Sequence, residues 1–529
     1  MSEEKPETDK EGEKGNGSEK YQIELETPDW LIDFFKDPYN LGFLAILAVA
    51  LYFRLINLGV DSMWPDTANH LYMVRHYLHA HTLTEVAYQG FILFLTIIKL
   101  FSFFFPLFLA GKLASMLYSL VGITSMYFLG RELANRETGI AAALVMAFVP
   151  IFWFQSTRPL LDANITSAVA LLMLCLVKYE RTRKRSWAIG LGLSMIAVIT
   201  TKLVGMLAFF AVGLYYLLAY RTELLELLKR KDFQILAAIV IGGGLLFMLF
   251  NYSITGTLSA RQPTDVTKPG GSSSGGLSLP FHFFFFKQIP SMISLVGVLL
   301  LIPGLYVSIR RYMDGEKYWL GLYLIALAWF GFFSTFGNKS PRYILPAIPT
   351  LILVAMVGVP AIFGKVRWEV LVAGLAITAM IYPAGAQIIE SKAHSYTGYG
   401  EAGRFLKKNM GENDIVIAGA KRQIRFFSGR NYKGDGGIEG NLVNPSTNWN
   451  RSYFLKKVQS YDRPVWVVVD SWEYTQPDFM HPLNQKKLSW FQNAGFRPVK
   501  IVRRKVPTKN GLQKYPAVFV FRYSGKKKS

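Results

Sequence analysis

Cysteine is almost absent: the 529 residues contain one, Cys175, inside an apolar run. A lone thiol makes no internal disulfide and offers no zinc framework, so cysteine chemistry is excluded as the activity. Charge is scarce as well. Only 18% of residues are Asp, Glu, Lys or Arg, against about 25% in soluble domains. The N-terminus lacks the basic and apolar regions of a cleavable signal peptide; its first twenty residues carry seven acids and four lysines. No internal repeat is visible, which argues against an inverted-repeat transporter.

What is abundant is apolar: 51% of residues are hydrophobic and 15% aromatic. Runs near twenty residues, long enough to cross hydrocarbon, fall near 41–58, 88–106, 108–130, 139–155, 163–178, 186–200, 203–220, 233–251, 291–309, 318–336, 343–362 and 368–389. Lys and Arg gather in the loops 131–136, 178–185, 221–231, 310–317 and 365–367. Such loops stay cytoplasmic. With the N-terminus inside, this pattern is kept only if 88–106, rich in Phe101, Phe103, Phe104 and Phe105, lies along the outer face instead of crossing. Eleven crossings result. The expected class is a polytopic α-helical membrane protein with a small extracytoplasmic C-terminal α/β domain.

Three regions are expected: a disordered acidic tail and interfacial helix (1–40, the helix around Trp30 to Phe35), a transmembrane domain (41–390) and a soluble domain (395–529). In the last, β-branched runs at Asp414–Ala418, Val465–Asp470, Val499–Val506 and Ala517–Arg522 read as strands, with helices near Gly400–Lys408 and Ser452–Ser460. The chain is basic, +22 overall, and residues 395–529 hold 25 Lys/Arg against nine Asp/Glu. Beside a membrane core, this patch points to lipid phosphate in preference to nucleic acid. Loop 252–290 joins a Gly/Ser-rich stretch (269–276) to the aromatic run Phe281, Phe283–Phe286, and reads as either a gate over a lipid-sized groove or an interfacial anchor.

Ionisable residues beside spans are costly and mark function. Here they collect at the outer ends: Asp61 and Asp66 after the first span, Arg158 and Asp162 in Ser156–Asp162, Lys202 in Thr200-Thr201-Lys202, and Lys339, Arg342 and Tyr343 in Gly337–Tyr343. Carboxylates and cations at one depth suit a reaction between a hydroxyl and a membrane-bound sugar phosphate. A carboxylate takes the hydroxyl proton, and fixed cations stabilise the phosphate as its charge grows. The duller readings are an Arg158–Asp162 salt bridge, a snorkelling Lys202, an interfacial anchor at Arg342, and a solvated helix face for His70, Arg75 and His76. Asp61 and Asp66 are close enough in sequence to share a divalent cation, though their spacing matches no recognised ligand pattern.

With Trp64-Pro65-Asp66, Gly130-Arg131-Glu132-Leu133, Ser156–Asp162, Thr200-Thr201-Lys202 and Lys339–Pro346 in this order, the chain resembles the GT-C glycosyltransferases that use polyprenyl-phosphate sugars. It is most like protein O-mannosyltransferases and the lipid A aminoarabinose transferase group. The resemblance covers 41 to about 365. It implies Asp66 as catalytic base, Asp162 as supporting acid, and Lys202 and Arg342-Tyr343 near the donor phosphate, with inversion and often without metal. Arg158 and Lys339 are further candidates for the phosphate and lipid. The chain departs from the family pattern in three places. Thr67 stands where a second acid is common, no Lys-Pro-Pro motif occurs around Ala87–Gly90, and the Trp-Trp-Asp signature of oligosaccharyltransferases is missing. The expected activity is transfer of one sugar to a protein, glycan or lipid acceptor on the outer face of a plasma membrane, or alternatively of the endoplasmic reticulum. A carrier of lipid-linked sugars would instead place its charges near mid-membrane, and an assembly protein would not need Asp66.

Overall fold

The computed structural model of the chain describes residues 29–76, 90–256, 283–335, 339–364, 368–393, 395–430, 442–445, 448–471, 477–480, 485–508 and 511–523. The acidic tail, the Gly/Ser-rich stretch of loop 252–290, and Ala87–Gln89 lie outside them.

The helices run α1 (Asp29–Lys36), α2 (Pro38–Leu55), α3 (Pro65–Arg75), α4 (Ile92–Phe101), α5 (Leu107–Leu133), α6 (Arg136–Phe148), α7 (Pro150–Ser156), α8 (Leu161–Thr182), α9 (Arg185–Thr201), α10 (Met206–Ala219), α11 (Leu224–Lys229), α12 (Lys231–Thr255), α13 (Phe284–Met313), α14 (Tyr318–Ser334), α15 (Ile348–Phe363) and α16 (Trp368–Ala393). Local chemistry sets several starts. Asp37 accepts from the Tyr39 amide ahead of α2, with Pro38 in its first turn, and Asn135 accepts from the Thr138 amide at the start of α6.

Among the described residues, seven helices are long and apolar enough to cross a membrane, the bent pair α6–α7 makes an eighth if it is one span, and four shorter apolar helices remain. Eleven crossings require three of those four. The ten-residue α4, about 15 Å long at 1.5 Å per residue, is half what a bilayer core needs. It packs with α3 and α5 through Phe94, Leu95 and Ile98.

The basic loops 131–136, 178–185 and 310–317 meet at one end of the bundle. Lys178 and Arg181 pair with Glu132, Arg181 also with Glu316, and Arg311 donates to the Leu133 carbonyl. At the other end of α5, Lys112 donates to the carbonyls of Asn57, Leu58 and Val60. The charge pattern therefore sorts the loops into two ends, and the residues expected to do chemistry lie at the second.

The C-terminal domain follows α16: α17 (Tyr399–Asn409), β1 (Ile415–Ala418), α18 (Lys421–Ser428), β2 (Leu442–Val443), α19 (Arg451–Gln459), β3 (Val465–Asp470), α20 (Gln485–Asn493), β4 (Phe496–Thr508) and β5 (Gly511–Tyr523). The five strands lie in the order β2-β1-β3-β5-β4, parallel across β2-β1-β3 and antiparallel at β5-β4. Alternate side chains face opposite layers. Val416, Ala418, Trp466 and Val468 pack with Tyr399 and Leu406 on one face, and Ile415, Ile417, Val465 and Val467 with Phe454 and Phe491 on the other. Sequence periodicity reached β1, β3, β4, β5, α17 and α19. The two-residue β2 and the short helices α18 and α20 are additions of the structure.

Candidate active site

Asp66 sits in the first turn of α3, whose start is fixed by Pro65 and the extended backbone of Trp64. Asp162 sits in the first turn of α8. Both carboxylates lie where a helix dipole favours negative charge. Lys202 occupies the C-cap of α9, where the dipole favours a cation. Arg342 comes from the 3-10 turn Pro341–Ala347 that opens the next span.

Tertiary packing brings these four together. Lys202 Nζ donates to Asp162 Oδ1 at 2.7 Å. Arg342 lies between the carboxylates, its Nε 3.6 Å from Asp162 Oδ2 and its Nη1 3.5 Å from Asp66 Oδ2. Asp162 is buried, with 8% of its side chain exposed, whereas Asp66 keeps 45% open. Both carboxylates face cations, but Asp162 is buried, so Asp66 is the more accessible of the two to an incoming group. Recession into the protein would raise the Asp66 carboxyl, but His70, Arg342, Arg422 and Lys202 outweigh it and hold it below the usual carboxylate range.

His70 corrects an expectation. It is no solvated residue: 5% exposed, it places Nδ1 3.0 Å from the Pro159 carbonyl and meets Phe91 and Phe94 edge-on. A carbonyl only accepts, so Nδ1 carries the proton. Burial pushes the imidazole below its ordinary range, against the pull of Pro159 and Asp66. Arg75 likewise serves a contact, donating to the Phe426 carbonyl at 2.7 Å and lying 4.3 Å from that ring's centroid.

The other candidates fall outside the carboxylate cluster. Arg158 makes no ion pair with Asp162. Its guanidinium lies over Phe154 (4.3 Å to the centroid) and donates to Thr157 Oγ1 and the Lys392 carbonyl, and burial lowers it to about 10. Lys339 donates to the carbonyls of Phe333 and Ser334, at the C-terminal end of α14. Tyr343 stacks on Phe333 at 5.0 Å, with Arg342 over its ring.

Asp61 and Asp66 share no charged neighbour: Asp61 feels Arg504, Arg404 and Lys112. Both Asp66 oxygens face guanidiniums, and no group of three or more His, Cys, Asp or Glu residues forms a metal site among the described residues. The side chains do not fit a cation shared by the two aspartates.

Two features escaped the sequence. Arg422, on α18 of the C-terminal domain, donates Nη1 to Asp66 Oδ1 at 3.0 Å; nothing in its local sequence distinguishes it from the domain's many other cations. Lys112 and Arg54 are buried inside apolar segments, a signal that was present. They serve structure, Arg54 donating to Ser156 Oγ and the carbonyls of Ala50 and Ala147.

The family model for dolichyl-phosphate-mannose-protein mannosyltransferases matches residues 64–254, and that for the Alg9-like mannosyltransferase family matches 266–407. No curated protein sequence matches. Among solved structures, ArnT from Cupriavidus metallidurans bound to undecaprenyl phosphate is similar with a TM-score of 0.56 at 14% identity, over 91% of this chain and 98% of that one. The Archaeoglobus fulgidus oligosaccharyltransferase in its apo form gives 0.55 at 11% identity, over 84% and 70%. AglB from the same organism, in complex with an inhibitory peptide and a dolichol-phosphate, gives 0.52 at 12%, over 92% and 75%. These likenesses show the fold. The two family models each match a part of the chain, one in its first half and one in its second.

Proposed function

We propose that this protein moves a single sugar from a polyprenyl phosphate to an acceptor hydroxyl at the extracytoplasmic end of the bundle, with inversion and with Asp66 as base. The observation that carries the reading is the contrast between the two aspartates. Asp162 is closed and spends its charge on Lys202 and Arg342, while Asp66 is open, ionised and bordered by cations. One open carboxylate suits a single displacement. It takes the proton of the acceptor hydroxyl as the hydroxyl oxygen bonds to the anomeric carbon. The bond from that carbon to the phosphate oxygen breaks, and its electron pair leaves on a phosphate that needs no proton. Arg342 and Lys202 border the place where that charge develops. A lipid-phosphate donor also accords with the undecaprenyl phosphate and dolichol-phosphate named for two proteins of like fold.

The charges sit at the ends of the helices, which disfavours a carrier. On the loop-charge rule the basic end is cytoplasmic, so the site and the C-terminal domain face outward. The test is label transfer from a panel of polyprenyl-phosphate hexoses to native acceptors. Wild type should discharge one donor, and folded Asp66→Ala should not. Equal transfer by both would remove Asp66 from the reaction.

A further inference from the structure

The C-terminal domain does more than sit beside the bundle. Its α18 is fixed to α3 and the segment just before it by the Arg75 contacts to Phe426, by Gln423 Nε2 donating to the Met63 carbonyl at 3.3 Å, and by the Arg425 guanidinium 3.4 Å from the Tyr72 ring centroid. Phe426 itself is part of the apolar cluster formed by α3, α4 and α5. From this fixed helix Arg422 reaches Asp66. Its guanidinium donates one bond there and keeps 45% of its side chain exposed, so most of its donors remain available.

Resting on the transferase reading above, we propose that Arg422 is a phosphate-binding residue contributed by the C-terminal domain, paired with Asp66 at rest and passed to the donor phosphate as Asp66 takes up its proton. The charge balance requires such a partner. Lys202, Arg342 and Arg422 face Asp66 and Asp162, a net of one positive charge. A bound phosphodiester, with one negative charge, brings the site to neutrality. When the sugar leaves, the acceptor proton neutralises Asp66 and the phosphate becomes a dianion. The site stays neutral, but one negative charge has moved from Asp66 to the phosphate. Lys202 remains held by Asp162 at 2.7 Å, and Arg342 is shared between both aspartates. Arg422 alone among the three cations has Asp66 as its sole ion-pair partner, so it is the cation released by protonation. A guanidinium binds phosphate in a forked, charge-assisted geometry.

The test is a binding cycle on the full-length protein in nanodiscs, using polyprenyl phosphate as probe with wild type, R422Q, D66N and D66N/R422Q. Asparagine at 66 mimics the neutral base and frees Arg422. D66N should bind the lipid phosphate roughly tenfold more tightly than wild type, and D66N/R422Q should lose that gain. Neutralising Asp66 by itself favours an anion, so a merely structural tie between domains predicts that the D66N gain survives the addition of R422Q. Unchanged affinity on adding R422Q to D66N would overturn the assignment, provided the thermal midpoints show both proteins folded. Absence of sugar transfer by wild type would sink the transferase reading separately, because the binding cycle needs no turnover.

Discussion

Lys202 and Asp162 meet at 2.7 Å from the ends of different helices, the lysine at a helix C-terminus and the aspartate in a first turn. Each end is where its charge is favoured by the local dipole, and the pair closes the inner side of the site, leaving Asp66 as the open carboxylate. Removing the lysine leaves Asp162 buried with only Arg342 nearby. Lys202→Ala is therefore expected to cost about 1–3 kcal/mol, below the range for fully buried pairs because the lysine is a quarter exposed. A lowered thermal midpoint, largely restored in Lys202→Arg, is the check. An unchanged midpoint in Lys202→Ala would mean that the pair contributes nothing.

Asp66→Asn keeps the shape of the side chain and removes its basicity. Transfer should fall by about 10²–10⁴, the range of general base catalysis, while binding of polyprenyl phosphate persists. Initial rates at saturating donor, with binding measured in parallel, separate the two. A mutant that lost both would indicate a structural role for Asp66.

The pH response has a defined sign. The Asp66 carboxyl titrates below its ordinary value of about 3.9 in the folded protein. Its ionised form is thus favoured by folding, and the associated stability is present above the unfolded value and lost as pH falls through the folded one. Transfer should show an acid limb governed by the same group. Removing a neighbouring cation, as in Arg342→Gln, raises the Asp66 value and should move that limb to higher pH. A limb left in place would assign it to another group.

Gly130, in the Gly-Arg-Glu-Leu stretch closing α5, has a packing reason. A Cβ there would come within 2.8 Å of the Thr138 carbonyl oxygen and 2.9 Å of the Gly139 Cα, backbone atoms that cannot swing aside. Gly130→Ala is expected to lower stability by about 1–3 kcal/mol, read as a lower thermal midpoint in detergent, without a selective loss of donor affinity. Full stability would show that the two helices part easily at this crossing.

The span pattern was legible because a bilayer demands long apolar runs, and three of the basic loops share an end, where Arg181, Arg311 and Glu132 gather. Asp66, Asp162, Lys202 and Arg342 were legible because charged residues beside spans are rare enough to stand out. The same rule also picked out Arg158 and Lys339, which the structure places apart from the carboxylates, on the Lys392 carbonyl and Phe154 ring and at the end of α14. The solvated reading of His70 followed from its polar helix; burial against Phe91, Phe94 and the Pro159 carbonyl is a long-range event that periodicity within α3 does not record.

Hydropathy, loop charge and strand alternation, properties of neighbouring residues, by themselves determined a multi-helix membrane protein with an α/β C-terminal domain and a charged end. Which charge meets which was decided only by tertiary structure. Arg422 reaches Asp66 across 356 positions, Arg342 lies between two aspartates from different helices, and Asp162 is closed while Asp66 is open. Each of these depends on distance and desolvation between segments far apart in the chain. Such quantities exist only once the helices have packed, because the energy of a charge is set by its surroundings.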